Sequence, residues 1–208
     1  MPCDIAVHAA LPSPAPEAGR SIVVSGRTSS YGVELAGAKV VWLSGANMTT
    51  WAELLAHPEQ TDEWLPASLG TKRVERLDPG HIYQATDISL LGGIIRIARQ
   101  AVVAIAWERV DPSKVANCWW VEDPKRWTAA LSSFADTSGS GAEFVLHGQG
   151  GWDLVPVPGG VSVSYAFWTE AKTMLPQVQA WAMSRTLPEL SRAFEERALL
   201  VQGAAKDG

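Results

Sequence analysis

The chain has 208 residues, 47% of them hydrophobic and 19% charged, with a formal net charge of -5. That length suits one domain with a sizeable core, and the composition is that of a folded chain rather than a disordered or membrane-embedded one. With 17 basic residues against 22 acidic ones, no electrostatic footprint for a phosphate backbone exists, so nucleic acid is excluded as the expected partner.

Residues 1–20 (MPCDIAVHAALPSPAPEAGR) have no basic start, and His8 and prolines interrupt their apolar stretch. They read as a flexible Ala/Pro-rich tail and not as a signal peptide. Cys3 and Cys118 stand far apart with neither a CxxC pair nor a disulfide framework around them. No window approaches the roughly 18 apolar residues of a membrane span. A cytoplasmic monomer is expected.

Residues 21–28 (SIVVSGRT) and 34–43 (ELAGAKVVWL) read as two strands of a hairpin, β-branched and alternating about a turn at 29–32. A helix follows, capped by Asn47, Thr49 or Thr50, with Trp51, Leu54 and Leu55 on one face and Pro58 near its end. Residues 59–66 (EQTDEWLP) extend it or form a second short helix. Two further β runs flank Asp78-Pro79-Gly80, where Pro presets φ and Gly tolerates a positive φ.

Residues 90–97 (LLGGIIRI) are apolar and interrupted by glycine, which predicts a loop or bend. Residues 101–110 and 116–122 (ANCWWVE) read as strands joined at Asp111-Pro112-Ser113, and 123–141 as a polar, exposed excursion. Two strands, 142–154 and 161–169, come next. The first is broken by Gly148-Gln149-Gly150-Gly151, read as a bulge or turn, and residues 156–160 separate the two.

In the last strand Val161, Val163, Tyr165 and Phe167 share one face, opposite Ser162, Ser164, Ala166 and Trp168. From residue 175 to about 200, apolar residues recur near a 3.6 period, with Pro188 inside and Gly203 as the stop. Antiparallel strands followed by one long amphipathic helix define an α+β architecture, a curved sheet around a C-terminal helix.

Several stretches resemble the START lipid-transfer family of the helix-grip superfamily: IVVSGR at 22–27, Leu54-Leu55 leading to Glu63-Trp64-Leu65-Pro66, His81-Ile82-Tyr83, IIRIARQAV at 94–102, Gly151-Trp152, and 161–165 before the last helix. The resemblance covers residues 21–199 and implies a ligand-binding domain over 21–202, between the tail and residues 203–208. The sequence departs from the family at Arg99-Gln100, where Arg-Asp is usual, and in KTMLP at 172–176, where Gly-x-x-Pro is usual.

The resemblance implies an internal cavity for a lipid, sterol or polyketide-like molecule, with no cofactor and with transient membrane contact in reach. Ten tryptophans suit an apolar lining. Tyr83, Trp107, Tyr165 and Trp181 are the expected apolar lining, with Asp87 and Arg99 as polar groups for a head group. Plain core packing is the competing reading for each aromatic residue.

The chemistry-bearing residues form no metal or nucleophile set. His8, His57, His81 and His147 lack ligand spacing, and no GxSxG occurs. A non-catalytic binding protein is therefore expected. Polyketide aromatase/cyclases are similar to this fold, and for that alternative His147, Tyr165, Asp87 and Arg99 are the general acid/base candidates. A third class, an exposed tryptophan patch, rests on Trp119-Trp120, which point to opposite faces of one strand.

Overall fold

The computed structural model describes residues 20–207 except 31, 67–68, 91–94, 112–113, 135–141 and 171–175. The chain runs β1 (Arg20–Ser30), β2 (Val33–Ser44), α1 (Met48–Ala56), a 3-10 turn (Pro58–Gln60), α2 (Thr61–Trp64), β3 (Thr71–Asp78), β4 (His81–Leu90), β5 (Ile95–Asp111) and β6 (Lys114–Glu122). A second 3-10 turn (Pro124–Trp127), α3 (Thr128–Leu131), β7 (Glu143–Phe144), β8 (Gly148–Val157), β9 (Gly160–Glu170) and α4 (Pro176–Asp207) follow. The strands form one curved sheet in the order β1-β2-β9-β8-β6-β5-β4-β3, antiparallel along this path, with the two-residue β7 parallel to β5.

Helix α4 packs on β1, β2 and α1. Its buried residues Met183, Leu187, Phe194 and Ala198 are spaced four, seven and four positions apart, which keeps them on one face. That face meets Ala36, Ala38, Val40 and Trp42 of β2 and Val161 and Val163 of β9 in the main core. Asn47 caps α1 by accepting from Thr50 N at 2.9 Å. The β8–β9 hairpin closes on Pro158-Gly159, with Gly159 at φ 91 and Val157 paired to Gly160; the strands extend into the connection expected over 156–160.

Other expectations are corrected. Residues 95–97 belong to β5, while the rest of the loop expected over 90–97 falls partly on β4 and partly on 91–94, outside the described residues. The glycines at 148, 150 and 151 lie inside β8, in unbroken register with β9. Gly150 is needed there because a Cβ would stand 2.5 Å from Trp119 Cζ2 and 2.6 Å from Ala166 O.

The excursion expected over 123–141 is in part a cover for the second face of the sheet. Phe134 is buried and stacks on Tyr83 at 4.7 Å, beside Leu131 and Leu77. Helix α4 runs through Pro188 and past Gly203 to Asp207, because an isolated glycine weakens a helix without ending it. Cys118, buried in β6, is disulfide-bonded, where no disulfide framework was expected. No described helix is long and apolar enough to cross a membrane.

Candidate functional site

Between the concave face of the sheet and the helices lies a cavity of about 390 Å³. Its walls come from alternate residues of six strands: Val74 of β3, Ile82, Gln84 and Thr86 of β4, Arg99, Val103 and Ile105 of β5, Asn117 and Trp119 of β6, Trp152 of β8, and Tyr165, Phe167 and Thr169 of β9. The period of two is the pleat itself, which turns every second side chain inward. Leu54 and Leu55 of α1, Leu65, and Leu190 and Phe194 of α4 close the other side.

The two ends differ in chemistry. At one end Trp152 stacks on Tyr165 at 4.4 Å and meets Phe194 at a tilt at 4.7 Å. Trp51 and Trp42 back this cluster, with centroids 5.8 Å apart. Their polar edges are satisfied: Trp51 Nε1 donates to Ser44 Oγ at 2.8 Å and Trp42 Nε1 to Glu195 Oε2 at 3.1 Å. Burial pushes the Tyr165 phenol above its ordinary range, so it stays protonated at neutral pH.

At the other end an adjoining cavity of about 130 Å³ shares Gln84, Thr86, Arg99 and Thr169 with the first. Arg99 Nη1 is 3.4 Å from Glu143 Oε2. Glu143 belongs to a strap over residues 142–147, tied down by Gln100 Nε2 to Ala142 O at 2.9 Å, Val145 N to Gln100 O at 2.9 Å, and Leu146 N to Glu170 Oε1 at 2.8 Å. The acidic residue missing beside Arg99 in sequence is thus supplied 44 positions later in space.

Of the seven residues singled out from the sequence, Arg99 and Tyr165 line the cavity, one towards each end. The other five stand elsewhere. Tyr83 and Asp87 are on the odd-numbered face of β4, opposite Ile82, Gln84 and Thr86: Tyr83 donates to Gln100 Oε1 at 3.1 Å, and Asp87 takes Arg96 in a two-toothed ion pair at 2.6 to 3.0 Å. Trp107 is 38% exposed near the end of β5. His147 is half-buried in the strap, its carbonyl accepting from Glu170 N, and Trp181 is half-buried on α4 beneath Arg185.

Sequence reasoning missed Trp152, Trp119, Gln84 and Thr86. For Trp152 the usable signal was pairing with Tyr165 across adjacent strands. For Trp119-Trp120 the expectation of one indole on each face holds in space: Trp119 lines the cavity, while Trp120 donates to Glu122 Oε1 at 2.7 Å. Among the described residues no group of histidine, cysteine and carboxylate side chains is arranged to hold a metal.

No family model matches the sequence, and no curated protein matches it. Solved structures do. Human STARD10 superimposes with a TM-score of 0.60 at 13% identity, covering 96% of this chain and 80% of that one. A START superfamily protein from Mycobacterium smegmatis gives 0.54 at 14% identity, covering 80% and 98%. Human StAR-related lipid transfer protein 5 gives 0.53 at 13%, covering 92% and 90%. The chain has the START-like helix-grip fold, a curved antiparallel sheet with a long C-terminal helix.

Proposed function

We propose that this protein binds a hydrophobic small molecule, without covalent chemistry, in the cavity between the sheet and α4. The observation that carries this reading is the cavity: about 390 Å³, walled mainly by aliphatic and aromatic side chains, with a few neutral polar groups and one cation gathered towards one end. Ligand sites are built in this way, apolar in bulk with polar groups that orient. Arg99 and Tyr165 are the residues of this proposed site that the sequence already singled out, and transfer of the ligand between membranes is a role the same cavity can serve.

The cyclase alternative has less support. Asp87 is engaged by Arg96 on the other face of β4, and His147 sits in the strap, so two of the four acid/base candidates do not converge with Tyr165 and Arg99 on the cavity. A general base must reach the proton it removes.

Native mass spectrometry tests the binding reading. Protein purified from lipid-containing cells, stripped of lipid and then re-exposed to liposomes of total lipid extract, is expected to carry an apolar small molecule in stoichiometric amount. Protein that remains free of any such molecule in both preparations sinks it.

A further inference from the structure

The polar end of the cavity is specific enough to name a ligand class. Arg99 is the single charged side chain lining the main cavity and its smaller branch among the described residues. Its side chain is 23% exposed. Its hydrogen bonds both leave from Nη1 and both are long, 3.5 Å to Ala98 O and 3.4 Å to Glu143 Oε2. Nε and Nη2 make none among the described residues. That edge of a guanidinium is a planar pair of parallel donors, matched in spacing to the two oxygens of a carboxylate.

From this geometry we infer that the protein selects a single-chain or compact amphiphile ending in a carboxylate, its hydrocarbon against Trp152, Phe167 and Phe194 and its carboxylate on the Nε/Nη2 edge of Arg99. The inference rests on the binding reading above. One cation, already shared with Glu143, balances a monoanion. A phosphate monoester, with close to two charges, would lack a second counter-charge in this wall. A two-chain phospholipid asks for more hydrocarbon volume than about 390 Å³ provides. Neutral Gln84, Thr86 and Thr169 supply further hydrogen bonds to the same end without adding charge.

Glu143 competes for the same cation. Its side chain is 62% exposed, so it can yield Arg99 to a ligand carboxylate and remain solvated. Arg99 therefore sets the preference for a carboxylate, and Glu143 tempers the affinity.

The test is calorimetric titration of the full, delipidated chain with dodecanoate, methyl dodecanoate and dodecyl phosphate. A charge-assisted contact predicts dodecanoate tighter than its methyl ester by roughly ten- to a hundredfold, and tighter than dodecyl phosphate. Arg99→Gln is expected to bring acid and ester within about threefold of each other, chiefly by weakening the acid. Glu143→Gln, on the exposed strap, is expected to raise the acid-to-ester ratio, and it carries the test if circular dichroism shows Arg99→Gln to be unfolded. Equal affinity for acid and ester in the unaltered protein, tighter binding of the phosphate, or a ratio unmoved by both variants overturns the inference and leaves apolar binding intact. Failure of all three probes, together with no apolar molecule found by native mass spectrometry, removes the binding reading itself.

Discussion

Glu122 ends β6 on the outer face of the sheet, where Trp120 Nε1 donates to one carboxylate oxygen and Arg126 Nη1 to the other, at 2.7 and 3.1 Å. The indole hydrogen bond, joined by Arg126, outweighs burial and holds this carboxyl below its ordinary 4.5. A folded pKa below the unfolded one means that the unfolded chain binds more protons in the interval between them, so stability falls as pH falls. The contribution is fully present above about pH 4.5 and is lost as the pH drops through the folded value. Glu122→Gln is accordingly predicted to lower stability by roughly 1 kcal/mol at pH 7. The difference from the unaltered chain is predicted to diminish at an acid pH below the folded value, where the carboxyl is protonated in both states. Urea melts at the two pH values read this directly, and a deficit that persists undiminished at low pH contradicts it.

Single residues also show why sequence reasoning stopped where it did. Choosing Tyr83 as lining followed aromatic character, yet both faces of β4 are covered, one by the cavity and α1, the other by Phe134 and Leu131. When both faces are buried, alternation no longer says which is which. Tyr165 came out at the cavity because its neighbours Val161, Val163 and Phe167 mark a face that α4 covers.

Helix α4 grips the sheet through side chains at its far end as well as through its apolar face. Glu195 accepts from Trp42 Nε1 at 3.1 Å and from Gly45 N at 3.0 Å, and Gln202 Oε1 accepts from Asn47 N at 2.6 Å. These three bonds fasten the β2–α1 connection to the helix. Glu195→Ala leaves the indole N–H of a 2% exposed tryptophan without its acceptor. An orphaned buried donor costs about 1–3 kcal/mol, and in a chain of this size each kcal/mol lowers Tm by roughly 2–4 °C. Thermal unfolding should show that loss for Glu195→Ala, a smaller one for Glu195→Gln, and almost none for the exposed neighbour Glu196→Ala. Equal effects at 195 and 196 would assign the loss to helix propensity instead of the clasp.

The periodicity of α4, the Asn47 cap and the Asp78-Pro79-Gly80 turn were readable because each is local: a repeat, a side chain three residues from its target, a φ preset by proline. The strap over 142–147 was not. It is held by Arg99, Gln100 and Glu170, partners that are 24 to 44 positions away, and no local pattern encodes such a pairing.

Taken whole, the molecule keeps a hollow where most domains of its size are filled, since protein interiors are otherwise close-packed. A ligand that enters only the folded state stabilises it by mass action, about 2.7 kcal/mol at a hundredfold excess over Kd. For a chain of this length that is a Tm gain of roughly 5–10 °C. Leu190→Trp places an indole from α4 into the hollow; it should abolish that ligand-dependent gain while leaving the Tm of the ligand-free protein unchanged or higher. Differential scanning calorimetry with and without dodecanoate decides it, and an undiminished ligand shift in Leu190→Trp would place the binding site elsewhere.

Sheet-then-helix order and the apolar stripe of α4 follow from composition and periodicity, because burying apolar surface against an amphipathic partner leaves few alternatives to a helix closed on an antiparallel sheet. The hollow, the face of β4 that lines it, and the meeting of Arg99 with Glu143 arise from sheet curvature and from contacts between distant strands. A cavity is the space side chains leave unfilled, and that depends on where all of its walls stand at once.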